Sequence, residues 1–318
     1  MNDAFPRVVA LTTAIGFAAL SAFELRSHVY RFLVAGLLLV GCTAKSAVPS
    51  DVKAPDTAST AERMPATPRS MHRVKAHRGS SATAPENSLS AVVLAFEQGA
   101  DACEIDVRVT KDGKVVVFHD ADTKRIGGRD ALVADQTLEQ LLELDIGDWK
   151  APQYSGERIP TLGQVIAIVP PEKTLFIEIK DGVSAVPLVL AAMGQASTKA
   201  TLAVESFSEE VLAAVALKNP SVALHLTVGA TDDGQGGAIP FAPEMASLVK
   251  KSGFHGLAVD ARGMNLGFAK AVQAEGLELA VWTVNTAPLL EALLAMPVTY
   301  IETDRPAFVA SILDKAAQ

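Results

Sequence analysis

From residue 73 onward, short runs rich in β-branched and apolar residues alternate with stretches of helical periodicity. This alternation predicts βα units and a parallel sheet, because a parallel connection needs a crossover of a dozen or more residues, usually a helix. The predicted strands are 73–77, 102–109, 115–119, 174–180, 201–206, 222–228, 256–260, 278–284 and 298–303. The predicted helices include Ser88–Gln98, Thr137–Leu144, Leu162–Ile168, Ser208–Leu217, Pro243–Lys251, Gly267–Glu275, Pro288–Leu294 and Arg305–Ala317.

The predicted strands outnumber those of a regular α/β barrel by one, and the segment Thr110–Gly113 accounts for the difference. Asp112-Gly113 between two β-rich runs is a hairpin signal, so we expect 115–119 to return antiparallel to the second strand, with Asp106 opposite His119. The remaining strands then close a (β/α)8, or TIM, barrel, a fold that commonly takes about 250 residues. A doubly wound open sheet is the alternative, but no glycine-rich phosphate fingerprint follows the first strand.

Residues 1–41 have the features of a leader. Arg31 precedes the apolar run Phe32–Val40, which is shorter than the roughly 20 residues that a transmembrane helix needs. The sequence Leu39-Val40-Gly41-Cys42 then resembles the lipobox of bacterial lipoproteins. The resemblance implies that Cys42 receives lipid and that the chain is anchored on the periplasmic side of a bacterial membrane, in the cell envelope.

Two alternatives to this leader stay open. A plain transmembrane anchor would leave Cys42 unmodified. Residues 1–30 contain a second apolar stretch, Val8–Phe23, so they are either a true membrane helix or the product of a start codon assigned too far upstream.

Composition divides the rest of the chain. Residues 42–72 carry the candidate lipidated cysteine followed by Ala, Ser, Thr and Pro without hydrophobic periodicity, which is typical of a flexible linker, and 73–318 form the predicted barrel domain. The net charge of −8 argues against a nucleic-acid-binding protein, because that class usually presents a basic surface. Cys103 lies in an apolar run and is predicted to be a buried small hydrophobic residue.

Carboxylates recur on two predicted neighbouring strands. Glu104 and Asp106 are two residues apart and therefore share one strand face, and Glu178 and Lys180 repeat this spacing. Carboxylates that face each other inside a barrel repel one another unless a cation lies between them. Oxygen ligands without a Cys/His cluster favour Mg²⁺ or Ca²⁺ over Zn²⁺. The alternative is an exposed strand face with surface ion pairs.

Two histidines end predicted strands, His77 the first and His119 the returning one. An imidazole titrates near neutrality, so the pair could serve as general acid and base. Arg78 could bind a phosphate through two hydrogen bonds, and Lys180 could add a point charge. The alternative for each histidine is a structural role.

The ordered set of motifs resembles the glycerophosphodiester phosphodiesterase family over residues 73–315. The motifs are Ala76-His77-Arg78-Gly79, Pro85-Glu86-Asn87-Ser88, Glu104-Ile105-Asp106-Val107, Thr110-Lys111-Asp112-Gly113, His119-Asp120, Gly156–Leu162, Glu178-Ile179-Lys180, Trp282–Asn285 and Thr303–Pro306. Ser88 stands where the family usually has Thr, and it keeps a hydroxyl that can cap the next helix. The segment Asp120–Pro160 is short for the family's usual insertion, so we expect no large lid.

The resemblance implies a (β/α)8 barrel and metal-dependent hydrolysis of a glycerophosphodiester to glycerol 3-phosphate and an alcohol. The implied metal ligands are Glu104, Asp106 and Glu178, holding one Ca²⁺ or Mg²⁺ ion. The implied acid–base pair is His77 and His119, and the implied phosphate ligands are Arg78 and Lys180. Glu86 would support these groups or touch the metal, and Trp282 would wall the pocket.

Two other functions stay open. One is a lysophospholipase D-like hydrolysis of lipid phosphodiesters, which a continuous apolar rim beside the pocket would favour. The other is a lipoprotein that binds phosphodiesters without catalysis.

Overall fold

The computed structural model describes residues 71–316, so the predicted leader at 1–41, Cys42 and nearly all of the linker at 42–72 lie outside the described residues. The strands are β1 (Arg73–His77), β2 (Ala102–Val109), β3 (Val115–Val117), β4 (Thr174–Ile179), β5 (Thr201–Ser206), β6 (Ala223–Val228), β7 (Gly256–Asp260), β8 (Glu278–Trp282) and β9 (Tyr300–Thr303). The helices of four residues or more are α1 (Leu89–Glu97), α2 (Lys124–Gly127), α3 (Leu138–Leu142), α4 (Leu162–Ile168), α5 (Val186–Gln195), α6 (Glu209–Lys218), α7 (Glu244–Lys251), α8 (Leu266–Ala274), α9 (Ala287–Leu294) and α10 (Pro306–Ala316).

The strands form a closed barrel with one extra strand. Eight strands pair in parallel in the order β1-β9-β8-β7-β6-β5-β4-β2, and β1 also pairs with β2, which closes the ring. β3 is bonded outside the ring, antiparallel to β2. The prediction of a (β/α)8 barrel with an added hairpin strand is confirmed.

The hairpin register differs by one residue from the prediction. Val107 lies opposite Val117, and Phe118 N donates to Asp106 O at 2.9 Å, so Phe118 rather than His119 lies opposite Asp106. The prediction assumed a two-residue turn, whereas Thr110 N donates to Lys114 O and leaves a three-residue loop. Gly113 takes φ +74° in this loop, which is the left-handed residue that a three-residue hairpin requires.

The helices match the predicted segments to within two residues at each end, with two additions. The helix α5 was not predicted, because its sequence VPLVLAAMGQ is apolar almost throughout and gives no polar face to recognise. The short helix α2 was also missed. The predicted capping role of Ser88 is confirmed, since its hydroxyl accepts a hydrogen bond from Ala91 N at 3.0 Å.

Strand alternation separates two sides of the barrel wall. Cys103, Ile105 and Val107 point outward into the large core between strands and helices, and the Cys103 side chain is fully buried, as predicted. Small residues such as Ala258 and Ala280 point inward and leave room inside the ring. The space at one end of the ring is where the polar side chains gather.

The segment between β3 and β4 has a separate hydrophobic core. Its members are Val116, Phe118, Ile126, Val133, Leu141, Leu144, Ile146 and Ile159. This second core, rather than the barrel, supports α2 and α3. Across residues 71–316, no helix has both the length and the apolar character needed to cross a bilayer.

Candidate active site

Three carboxylates meet inside the carboxyl end of the barrel. Glu104 and Asp106 lie on β2, and Glu178 lies beside Asp106 in the register of β4. All three side chains are buried, and each offers an oxygen within 4.8 Å of the others. The predicted ligand set is therefore close enough to hold one metal ion.

The environment of Glu104 fits a cation. Its Oε2 accepts a hydrogen bond from Arg78 N at 3.0 Å, whereas its Oε1 is buried and accepts none from the part of the chain that the structure describes. Burial, and then the nearby charge of Asp106, raise the pKa of Glu104 well above its usual range. A bound cation would relieve both effects, so the residues present fit a hard metal ion.

Asp106 is surrounded by donors. Asn87 Nδ2 donates to Asp106 Oδ2 at 2.8 Å, Arg78 Nε lies 3.2 Å from the same oxygen, and Lys180 Nζ lies 3.3 Å from Oδ1. Burial alone would raise the pKa of Asp106, but the Arg78 and Lys180 charges outweigh it and lower the pKa. Asp106 therefore stays ionised beside the less acidic Glu104.

A second group of candidate ligands exists, formed by His77, Glu104 and Glu302. Glu302 already has a positive partner, because the ammonium of Lys75 lies 3.0 Å from its Oε2. Lys75 also donates to Glu205 Oε1 at 2.5 Å, and all three side chains are buried. The cluster around Glu178 is therefore the better place for a metal ion.

His77 is held by a carboxylate. Its Nδ1 lies 2.7 Å from Asp304 Oδ1, and Asp304 is itself fixed by Asn285 Nδ2 at 2.6 Å and by the Ser81 hydroxyl at 3.0 Å. Burial would raise the pKa of Asp304, but these hydrogen bonds and the nearby imidazole lower it to about 2. An ionised acceptor at Nδ1 leaves Nε2 as the ring nitrogen available for proton transfer.

His119 repeats this arrangement from the hairpin side. Its Nδ1 lies 2.7 Å from Asp120 Oδ1, the carboxylate of the next residue. Burial lowers the pKa of His119, which favours the neutral ring near pH 7. The pKa of Asp120 falls to about 2, because hydrogen bonds from Arg125 and His119 outweigh its burial.

Arg78 follows β1 in a turn with unusual backbone geometry. Its φ is +56°, and that of the adjacent Gly79 is +81°. A Cβ on Gly79 would lie 2.6 Å from the backbone of Ala91, so no larger residue fits there. The turn aims the guanidinium at Asp106 and at Glu86, to which Nη1 donates at 2.8 Å.

These groups surround a cavity of about 180 Å³. Its lining includes His77, Arg78, His119, Glu178, Lys180, Glu205, Phe207, Thr227, Trp282 and Glu302. The rings of Phe207 and Trp282 meet edge to face at 6.1 Å, and Phe207 remains 52% exposed. Trp282 therefore walls the cavity, whereas Glu86 lies outside the lining and holds Arg78.

Several residues of the site were not singled out from the sequence. Asp120 and Asp304 lie inside motifs that were recognised, but their contacts with the histidines need the folded chain. Lys75 gave a signal that went unused, since it lies two residues before His77 and therefore on the same face of β1. Arg125 gave none.

Comparison with known proteins agrees with this geometry. Residues 77–308 match the family model described as the Glycerophosphoryl diester phosphodiesterase family. The chain is 31% identical to a glycerophosphodiester phosphodiesterase of Caldanaerobacter subterraneus subsp. tengcongensis, over 76% of this chain and 98% of that protein. It is 30% identical to one of Bacillus subtilis, over 73% of this chain and 83% of that protein.

A solved structure gives the same result. The phosphodiesterase of Oleispira antarctica in complex with the product sn-glycerol-3-phosphate superposes with a TM-score of 0.69 at 27% identity, over 76% of this chain and 96% of that one. A family match of this extent, on a barrel whose strand ends carry the matching motifs, leaves one assignment. The chain belongs to the glycerophosphoryl diester phosphodiesterase family.

Proposed function

We propose that the protein hydrolyses glycerophosphodiesters to glycerol 3-phosphate and an alcohol in a metal-dependent reaction. The main support is one observation: two histidines, each backed by a carboxylate at 2.7 Å, line a single cavity above a cluster of buried carboxylates. Family membership supports the phosphoric diester hydrolase class. The small cavity with its polar floor suits a compact glycerol phosphate.

The proposed metal site consists of Glu104, Asp106 and Glu178, which would hold one Mg²⁺ or Ca²⁺ ion. An all-oxygen donor set suits either of these hard cations. When bound, the ion would polarise a phosphoryl oxygen and offset negative charge on the phosphate.

The proposed proton transfers belong to His77 and His119. One neutral imidazole accepts through its Nε2 the proton of the nucleophile, which forms a new P–O bond as the bond from phosphorus to the leaving alcohol breaks. If the nucleophile is a water, glycerol 3-phosphate forms directly; if it is the glycerol 2-hydroxyl, a cyclic phosphate forms and a water then opens it to glycerol 3-phosphate. The other imidazole, protonated, gives its proton to the leaving alcohol. The carboxylates of Asp304 and Asp120 hold Nδ1 protonated in both rings and stabilise the imidazolium as it forms.

The proposed phosphate ligands are Arg78 and Lys180, whose charged groups line the cavity on the metal side. In the structure both contact Asp106: Arg78 Nε lies 3.2 Å from Oδ2, and Lys180 Nζ lies 3.3 Å from Oδ1. Their donors would stabilise charge that develops on the phosphate oxygens, and a guanidinium can do so through two hydrogen bonds.

One observation favours lipid phosphodiesters as a second substrate class. Apolar side chains of the loops after β4, β5 and β6 stay exposed, namely Val183 at 48%, Phe207 at 52% and Ile239 at 48%. These loops lie at the carboxyl end of the barrel, where the cavity opens. An acyl chain beside the cavity would cover such side chains. A binding protein without catalysis is the weaker alternative, because it would not need both histidine–carboxylate pairs.

We also propose that lipid on Cys42 holds the enzyme on the periplasmic side of a bacterial membrane, with the segment up to residue 72 as a tether. The support is the lipobox-like sequence ending at Cys42. Metabolic labelling with a tagged fatty acid tests this. Label on the wild-type chain and its loss from Cys42→Ser would support the anchor, and an unlabelled wild-type chain in the membrane fraction would contradict it.

The activity is tested with the detergent-solubilised full chain and glycerophosphocholine. Release of glycerol 3-phosphate is measured after EDTA treatment and after addition of Mg²⁺ or Ca²⁺. Turnover that EDTA abolishes and one cation restores would support the proposal. A folded chain that is inactive with both cations, but cleaves lysophosphatidylcholine, would move the assignment to the lipid substrates.

A further inference from the structure

Arg125 joins two carboxylates that belong to different parts of the site. Its Nε lies 2.6 Å from Asp120 Oδ2, while Nη1 and Nη2 donate to the two oxygens of Glu86 at 2.9 Å and 2.8 Å. The planar guanidinium therefore uses three nitrogen donors on three oxygens of two carboxylates. A lysine cannot reproduce this geometry.

Each of these carboxylates holds a residue that lines the cavity. Asp120 binds His119 Nδ1 at 2.7 Å through its other oxygen, Oδ1. Glu86 accepts from Arg78 Nη1 at 2.8 Å through the same Oε1 that Arg125 contacts. One side chain thus fixes a proposed proton-transfer group and a proposed phosphate ligand at once.

Arg125 comes from outside the barrel. It lies in α2, whose next residue, Ile126, is buried in the second hydrophobic core. That core packs the segment between β3 and β4 independently of the barrel interior. This packing holds the guanidinium at the edge of the site.

We propose that Arg125 is a positioning residue, which sets the orientation of His119 through Asp120 and that of Arg78 through Glu86. The inference rests on the proposed function. It predicts two separable defects: a poorly oriented His119 lowers kcat, and a poorly oriented Arg78 weakens phosphate binding and raises KM.

The main variant is Arg125→Ala, tested in the full chain with glycerophosphocholine and the activating cation. We expect kcat/KM to fall about 10- to 100-fold, divided between kcat and KM, which is the range found when a side chain that orients a metal ligand is removed. Arg125→Lys keeps the positive charge but lacks the planar set of donors that contacts both carboxylates. It should therefore retain only part of the activity that Arg125→Ala loses.

Chemical rescue separates positioning from folding. The Arg125 side chain is 47% exposed, so a small soluble guanidinium ion can reach the space that truncation opens. Millimolar guanidinium chloride should restore part of the kcat of Arg125→Ala and should not raise that of the wild type. A variant that was merely destabilised would not respond in this way.

Arg129→Ala is the matched control. Arg129 lies in the same segment and makes similar contacts, to Glu143 Oε2 at 2.8 Å, Gln140 O at 3.0 Å and Gln136 Oε1 at 3.1 Å, but none to the cavity. Its truncation should change Tm to a similar degree and leave kcat and KM within about twofold of the wild type.

Three outcomes would overturn the inference. The first is an Arg125→Ala enzyme with wild-type kcat and KM. The second is a loss of activity in Arg125→Ala that Arg129→Ala reproduces. The third is a loss of activity in Arg125→Ala that added guanidinium does not restore and that Arg125→Lys shows to the same extent. A wild-type chain without turnover would instead contradict the proposed function itself, and the inference would fall with it.

Discussion

Asp304 Oδ1 lies 2.7 Å from Nδ1 of His77, although 227 residues separate the two in the chain. The contact joins the end of β1 to the residue that follows β9, its neighbour in the ring. His119 and Asp120 make the same contact between successive residues. Two different contacts thus place a carboxylate at Nδ1 of both imidazoles, an arrangement that favours a proton on Nδ1 and leaves Nε2 for proton transfer.

Truncation of either histidine should remove most of the activity. We expect His77→Ala and His119→Ala each to lower kcat about 10²- to 10⁴-fold, since this is the usual contribution of a general acid or base. Circular dichroism should stay native, because both rings lie at the cavity rather than in a core. Full turnover by either variant would contradict the acid–base assignment.

Asp304→Asn should reveal the linkage between the His77–Asp304 contact and stability. The folded-state pKa of Asp304 is about 2, below the unfolded value of about 3.9, so the group stabilises the fold above about pH 4 and loses this effect as the pH falls toward 2. Urea unfolding should show the variant less stable than the wild type at pH 7, with a smaller difference at pH 3. An equal difference at both pH values would contradict the assigned pKa.

Glu104→Gln should weaken metal binding. The amide keeps the size of the side chain but removes the charge of a proposed ligand whose buried Oε1 has no donor among residues 71–316. We expect calorimetric titration with Ca²⁺ or Mg²⁺ to show at least tenfold weaker affinity, with activity recovering only at high cation concentration. Glu244→Gln, at an exposed position of α7, is the control and should bind like the wild type.

Lys75→Met should destabilise the barrel strongly. It removes the ammonium between Glu205 and Glu302, and breaking a buried ion pair on one side costs about 3–5 kcal/mol in the free energy of unfolding. The exposed pair of Lys124 and Asp130 gives the comparison, and Lys124→Met should change stability by less than about 1 kcal/mol. Urea unfolding measures both.

A second change tests the cause of the Lys75 effect. Burial raises the pKa of Glu205 to about 7 even with Lys75 beside it, so removal of this carboxylate should relieve the variant. We expect Lys75→Met with Glu205→Gln to recover part of the lost stability. A double variant that is less stable than Lys75→Met would contradict the electrostatic explanation.

The barrel itself was predictable from the sequence because its signals are local. Each strand has a short β-rich run, each connection is long enough for a helix, and Asp112-Gly113 marks the hairpin. The alternation of Glu104 and Asp106 with apolar neighbours also places both carboxylates on the inner face. These features need no knowledge of which distant residues meet.

The parts that sequence reasoning missed depend on distant contacts or on loop geometry. The register of β3 was off by one residue, since the sequence does not distinguish a two-residue from a three-residue turn at Gly113. The role of Arg125 needs the fold of the segment that carries it, because its carboxylate partners are 39 and 5 residues away. The metal ion, the histidine roles and the anchor at Cys42 remain predictions.

The one-sided attachment of β3 gives the two histidines unequal mechanical support. β1, which ends at His77, pairs with strands on both sides, whereas β3 pairs with one barrel strand, β2. The other backbone contacts of β3 are the bridge from Val116 to Thr161 and the hydrogen bond from Val117 N to Pro160 O at 2.8 Å. Detachment of β3 from β2 would move the imidazole of His119 away from that of His77 while the barrel of parallel strands stays closed. We therefore expect hydrogen exchange at Val117 to be faster than at Ala76, and catalytic failure under heat or denaturant to begin at the hairpin before the barrel melts.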